Sequence, residues 1–302
     1  MRCAPTHDDG VKESFKLAPL VVKRDGYELE VRGIERGVVV LGLLAGINEP
    51  NPATMENLTF FLQRFKAAGV QAVVVAGGVG LLKGEMEGIL EGLAKAPVPV
   101  FLSPGAQESL DVFRESIEKA GKKSPQLIDM TVVRRVRMGH ISLISLPGYH
   151  DAFYLEARER GCSYEPGDLA DVASLAKGDR TTVIVSASPP LGKGVHSVDR
   201  GRGGVNIGDT ALERMMAGAQ IRFGLFGHVY ESGGQATQED GKTPATQGVW
   251  HDTLYVQAGA VEAVPLTLVE GGSSVGMAQV VELSGNRGRF RTIFATGSNG
   301  RK

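Results

Sequence analysis

Three apolar runs separated by amphipathic spacers constrain this chain more than any other feature. Val38–Leu44, Ala72–Ala76 and Val98–Leu102 are nearly continuous apolar stretches, as expected of strands buried on both faces. After each one, apolar residues recur at helical spacing: Met55, Leu58, Leu62 and Phe65; then Met86, Ile89, Leu90 and Leu93; then Leu110, Phe113 and Ile117. Asn51-Pro52 marks the start of the first helix, with Asn as cap and Pro at the first helical position. This is a β-α-β-α-β-α run, which needs a sheet with helices outside it.

The second half changes character. Met130–Arg137 and His140–Leu146 read as a hairpin-like pair of strands. Leu169, Val172 and Leu175 read as a helix face, Thr181–Val185 as a short buried strand, Thr210–Met216 as a helix and Ile221–Phe226 as a strand. Thr253–Val256, Val275–Leu283 and Phe290–Phe294 follow as strands with few helices between them. Strands with helices, then strands mostly alone, suit two sheets packed face to face with helices outside. At the N-terminus, Phe15–Val22 and Tyr27–Val31 read as two strands of a hairpin, with Asp25-Gly26 as its turn signal. The expected division is a tail and hairpin, residues 1–36, and one domain, residues 37–302. Residues 1–14 are polar and are expected to be poorly ordered. Gly271–Ser274 and Gly297–Gly300 read as loop and tail.

Composition narrows the function classes. The 33 Lys and Arg balance 34 Asp and Glu, so the basic excess of a nucleic-acid binder is missing and no nucleic-acid partner is expected. No apolar run is long enough to span a membrane, and Met1–Gly10 does not read as a signal peptide. The cytoplasm is the default placement. The alternative is an exported lipoprotein whose signal is absent from this sequence, although Arg2 is the wrong residue before a lipidated Cys3. The two cysteines, Cys3 and Cys162, match no metal spacing and, so far apart in sequence, read as two free thiols ahead of the alternative of one disulfide.

The turns after the strands carry the functional signal. They read Ala45-Gly46-Ile47-Asn48, Gly77-Gly78, and Pro104-Gly105-Ala106-Gln107-Glu108. Later come Ser186-Ala187-Ser188-Pro189-Pro190-Leu191-Gly192, Gly227-His228-Val229-Tyr230-Glu231-Ser232 and Gln257-Ala258-Gly259-Ala260. In order and local context this set resembles the calcineurin-like metallophosphoesterase family, over the stretch from Gly37 to Leu268. In that family the corresponding turns carry Asp-x-His, Gly-Asp, Gly-Asn-His-Asp/Glu, a further His and a final Gly-His-x-His, which together hold two metals that clamp a phosphoryl group and activate water. Here the first Asp falls on Gly46 and its His on Asn48. The bridging Asp falls on Gly78, Asn and His on Ala106 and Gln107, the later His on Ala187 and the last His on Tyr230. His228 survives, and Glu108 occupies a position that is generally not a ligand.

The resemblance implies an α/β fold, a four-layer α/β/β/α sandwich of the metallophosphoesterase type. It also implies a degenerate member. Gly and Ala cannot coordinate a metal, and Asn and Gln offer only neutral oxygens, whereas a dinuclear site needs anionic oxygens and imidazoles. The expectation is therefore no metal, no cofactor and no catalytic residue, with a binding or scaffolding role toward a protein partner. Two alternatives stand beside it. One is an active phosphoesterase with a rebuilt, mononuclear site on His228, Glu108 and Asn48. The other is a sensor of a small anionic ligand, with Arg200 and Arg202 in a Gly-rich loop as its anion-binding groups. The space left by the lost ligands is expected to be taken by the Tyr230 ring, with a direct or water-bridged hydrogen bond among Tyr230, Asn48 and Gln107, and with His228 held by a carbonyl or water.

Plainer readings cover the remaining signals. His150, His196 and His251 lie in loops and read as solvated or locally hydrogen-bonded. Ser186 and Ser188 lack the nucleophile-elbow pattern. Gly77–Gly84 lacks the Gly-Lys-Ser/Thr of a P-loop and reads as a tight strand-to-helix turn.

Overall fold

The three apolar runs become neighbouring parallel strands. The computed structural model describes residues 1–34, 37–178 and 180–296. Its strands are β1 (Lys12–Leu17), β2 (Leu20–Asp25), β3 (Glu28–Arg32), β4 (Val38–Leu44), β5 (Ala72–Ala76), β6 (Val100–Ser103), β7 (Leu127–Asp129), β8 (Arg135–Met138), β9 (Ile141–Leu146), β10 (Thr181–Ser186), β11 (Phe223–Phe226), β12 (Ala236–Thr237), β13 (Leu254–Gln257), β14 (Leu266–Thr267), β15 (Ser273–Ser274), β16 (Met277–Ser284) and β17 (Arg287–Phe294). Its helices are α1 (Pro52–Ala67), α2 (Lys83–Leu93), α3 (Leu110–Gly121), α4 (Pro166–Leu175) and α5 (Thr210–Gly218). One sheet has the order β17-β16-β4-β5-β6-β7, and the other β1-β2-β3-β8-β9-β10-β11-β13-β12.

Side-chain alternation along the strands builds four layers. Leu41 and Leu43 of β4, Val74 of β5 and Phe101 of β6 point into the space between the sheets, where they meet Leu143, Val183, Leu225 and Val256 of the second sheet. The opposite faces of the same strands, with Leu44, Val73, Val75 and Leu102, pack under Leu58, Phe61, Leu90 and Phe113 of α1, α2 and α3. On the far side, Leu169 and Val172 of α4 and Leu212 and Met216 of α5 cover Ile144 and Ile184. Each fully buried Leu or Phe in these layers stabilises the fold by roughly 1.5–3 kcal/mol. Helix α1 starts as its sequence dictates: Asn51 caps it by accepting from the Thr54 N–H, and Pro52 follows.

Four expectations change. Phe15–Val22 is not one strand. It breaks at Ala18-Pro19 into β1 and β2, a hairpin of its own, because Pro19 has no N–H to continue a ladder. Strands β1, β2 and β3 extend the second sheet through β3 beside β8, and Leu20, Val22, Leu29 and Val31 enter the inter-sheet core. Met130–Arg137 is likewise divided. The Asp129 carboxylate accepts from the Thr131 N–H, and its carbonyl from the Val133 N–H, and this turn delays the strand to Arg135.

The third change is at the N-terminus, where the first residues are pinned instead of loose. Cys3 N–H donates to the Ser163 carbonyl, Arg2 makes a two-pronged pair with Asp168, and Ala4 is fully buried. The buried Arg134 guanidinium reaches the Ala4 carbonyl and both oxygens of Ser145. The fourth concerns the cysteines. Cys3 and Cys162 are not free thiols but a disulfide, with Cα atoms 5.5 Å apart, since the fold brings together segments that the sequence keeps 159 residues apart. Residues 297–300, read as tail, lie outside the described residues.

Candidate functional site

The turns singled out above follow β4, β5, β6, β10, β11 and β13 and meet at one edge of the two sheets, where ligand sites of α/β proteins form. Glycine makes the meeting close. Gly46, Gly77 and Gly78 have φ of 61°, 82° and 77°, conformations that residues with a Cβ avoid. Gly46 N–H donates to the Gly77 carbonyl at 3.2 Å and Ile47 N–H to the Gly78 carbonyl at 2.6 Å. A Cβ on Gly46 would stand 3.0 Å from the Tyr230 ring, and one on Gly105 2.9 Å from the Ala187 Cβ. These loops have closed on one another, and the Tyr230 ring, expected to take up the space of the lost ligands, lies on the Gly46 backbone.

Glu108 is fully buried. Its carboxylate accepts from the Val79 and Gly105 N–H groups, each at 2.8 Å, with the Gly78 and Glu108 amides also directed at it. Burial still raises its pKa, against the pull of those amides. The Tyr230 ring stands against Gly46 and Gly78. Burial and the carboxylates of Glu108, Glu262 and Glu156 hold its proton more tightly than usual. The Glu262 carboxylate accepts from the Glu49 N–H at 3.2 Å, and the Asn48 Oδ1 is buried without a partner.

One expectation changes here. Gln107 does not join Tyr230. Its Nε2 donates to the Glu156 Oε1 at 3.2 Å, and its buried Oε1 has no partner, because loop 104–108 packs on the segment after β9 through Ala106, Tyr149 and Leu155. His228, expected beside a carbonyl or water, has no carbonyl partner among the described residues. Its imidazole stands among rings, with centroids 4.3 Å from Tyr149, 6.0 Å from Tyr154 and 6.1 Å from Tyr230. Burial, then the neighbouring His150, lowers its pKa to about 4, so it is neutral at pH 7. Its φ of 64° is uncommon for a residue other than Gly, although His, like Asn and Asp, adopts it more often than most.

The structure thus brings Gly46, Gly78 and Tyr230 into contact, with Asn48 two residues along the same turn, and packs Ala187 against Gly77 and Gly105. Arg200 and Arg202 stand apart: the Arg200 guanidinium lies along Gly204 and Arg202 is exposed. One relationship was not legible beforehand. His150, read as solvated or locally bonded, places Nδ1 2.6 Å from the Ser188 Oγ, and near it Tyr164 donates to Asp209 at 2.8 Å. No motif joins these four residues. The pairing of β9 with β10, with the bridges Tyr149–Ser163 and Pro190–Asp209, brings their loops together.

Among the described residues, no three His, Cys, Asp or Glu side chains are grouped to hold a metal ion. The residues at this edge do not fit a dinuclear centre. Four of the positions that the resemblance assigns to ligands carry no donor, and the Glu108 oxygens are engaged by backbone amides.

No family model matches the chain, and no curated protein matches it. Solved structures do. A dimetal phosphatase from Danio rerio is similar with a TM-score of 0.51 and 12% identity over 85% of this chain and 99% of its own. The fold is metallophosphoesterase-like. A protein of Thermus thermophilus, TT1561, is similar with a TM-score of 0.52 and 12% identity, over 77% of this chain and 95% of its own. Plasmodium GAP50, described as the anchor in the inner membrane complex, has a TM-score of 0.54 and 14% identity over 87% of this chain and 86% of its own.

Proposed function

We propose that this chain is a catalytically inactive metallophosphoesterase-like protein with a binding or scaffolding role. The observation that carries the reading is the packing at Gly78. The resemblance puts the bridging carboxylate at this position, and a Cβ there would stand 2.6 Å from the Gly46 nitrogen and 2.8 Å from the Tyr230 Oη. Backbone and a phenol ring occupy the place of a ligand, so the departure from the family pattern extends beyond side-chain identity to the spacing of the loops. A rebuilt site on His228, Glu108 and Asn48 draws less support, because Glu108 already accepts from backbone N–H groups and His228 is enclosed by rings. A structure of this fold described as an anchor supports a binding role by analogy of fold alone.

The test is elemental analysis of purified protein, with hydrolysis of p-nitrophenyl phosphate and bis(p-nitrophenyl) phosphate measured in added Mn²⁺. The expected result is substoichiometric transition metal and background turnover. One or two Mn, Fe or Zn ions per chain, or turnover abolished by His228→Ala, would sink the reading.

A further inference from the structure

The two sheets differ in width. Among the described residues six strands face nine, with β5 against β10 and β17 against β13, so β3, β2 and β1 run past β7, the last strand of the narrower sheet. The inner side of that overhang has no strand opposite it. A cavity of about 1070 Å³ opens there, at the upper end of the range of small-molecule sites. Phe15 of β1, Leu29 of β3, Ile117 of α3, Leu127 of β7 and Val133 give it an apolar wall. Pro5, Thr6 and His7 line it from the N-terminal segment. The Cys3–Cys162 disulfide holds that segment on one side, and the pair of Asp9 with Arg24 holds it on the other. None of the lining residues belongs to the sheet edge described above.

Most charged groups around the cavity are already engaged. Asp9 accepts from Arg24 and from the Val11 N–H at 3.0 Å. Asp129 accepts from the Thr131 N–H at 2.7 Å. Glu118 pairs with Lys122 at 3.4 Å, Arg2 with Asp168, and Glu13 is exposed. Arg114 differs. Its Nε donates to the Thr131 Oγ1 at 2.9 Å, and among the described residues no acceptor meets its two terminal nitrogens. A guanidinium restrained at one nitrogen and free at the other two offers the parallel N–H pair that a carboxylate accepts as a fork. The same cavity is lined by Thr6, whose Oγ1 is buried without a partner and calls for a polar atom beside it. A small inorganic anion would satisfy Arg114 but leave the apolar wall uncovered, whereas an apolar molecule would leave Arg114 and Thr6 unpaired.

We propose that this cavity binds an amphipathic carboxylate, one carboxylate head on an apolar body. The head accepts from the free terminal nitrogens of Arg114, and the body lies against Phe15, Leu29, Ile117 and Leu127. A fatty acid and an aryl carboxylate share this chemistry. The site goes beyond the role proposed above and stands whether or not the sheet edge holds metal, because the two share no residue.

Calorimetry on the full chain tests it, with octanoate, 2-naphthoate, their neutral counterparts 1-octanol and 2-naphthol, and acetate as probes. Saturable binding of octanoate or 2-naphthoate is expected, and the tighter of the two tells a chain from a ring. Each alcohol is expected to bind at least about tenfold more weakly than its acid. Acetate, which has no apolar body, is expected to give no saturable heat. Arg114→Gln, a change at an exposed position, is expected to weaken acid binding about tenfold and to leave alcohol binding unchanged. Gly121 lines the cavity at the end of α3, and a Cβ there meets nothing within 4 Å. Gly121→Trp is therefore expected to keep the urea midpoint and, by filling part of the cavity, to weaken both acids and alcohols. No saturable heat with either acid, equal affinity for an acid and its alcohol, or acid binding unchanged in both variants would overturn the proposal.

Discussion

Gly46 and Gly78 sit back to back: a Cβ on Gly78 would stand 2.6 Å from the Gly46 nitrogen and 2.7 Å from its Cα. Real Cβ atoms do not approach backbone this closely, and Gly78 has a φ of 77°, so any side chain there must push two strand ends apart. Gly78→Asp is expected to destabilise the protein by more than about 2 kcal/mol, read as a lowered urea midpoint. Tyr230→His alone is expected to bind no Mn²⁺ in calorimetry, because it leaves Gly78 without a carboxylate. Tight binding by that variant would refute this account of how the site departs from the family pattern.

Glu108 is the second point of tension. Its two oxygens collect backbone N–H groups from the turns after β5 and β6, so it ties the loops together. Glu108→Gln turns one acceptor into a donor facing a donor. The expected cost is about 1–3 kcal/mol, again measured by urea unfolding. An unchanged midpoint would mean that the amides find water instead.

The low pKa of His228 makes stability depend on pH. In the unfolded chain an ordinary imidazole takes up its proton near pH 6.5, whereas the folded protein resists until about 4. Between these values the unfolded state binds more protons, so stability falls as pH falls from 6.5 toward 4, by up to about 3 kcal/mol. The raised pKa values of Glu108, Asp129 and Glu262 act with the opposite sign. The clean measurement is therefore a comparison with His228→Asn, which tolerates the positive φ and does not titrate. The slope of unfolding free energy against pH between 4 and 6.5 is expected to be smaller in the variant.

The disulfide joins the N-terminus to the loop that carries Tyr149 and His150. Thiol titration of denatured, unreduced protein is expected to find no free cysteine. Cys3→Ser with Cys162→Ser is expected to cost about 2–4 kcal/mol, and the N-terminal segment is expected to become the first site of proteolysis. Two titratable thiols in freshly purified protein would contradict the pairing.

The sequence by itself determined the layers. Val38–Leu44, Ala72–Ala76 and the apolar stripes after them encode burial through local periodicity, and Asn51-Pro52 encodes its helix start through groups within one turn. The order of the turns was equally legible, and it led to the fold and to Gly46, Asn48, Gly78, Glu108, His228 and Tyr230. Only the tertiary structure decided how these turns meet. That Gly46 packs on Gly78, that Gln107 chooses Glu156 over Tyr230, that His150 finds Ser188 and that Cys3 finds Cys162 all depend on distances between segments far apart in the chain. Periodicity reports which face of an element is buried. It carries no information about which of two polar partners lies nearer once several loops share one edge, because a few tenths of an ångström of backbone position decide that competition.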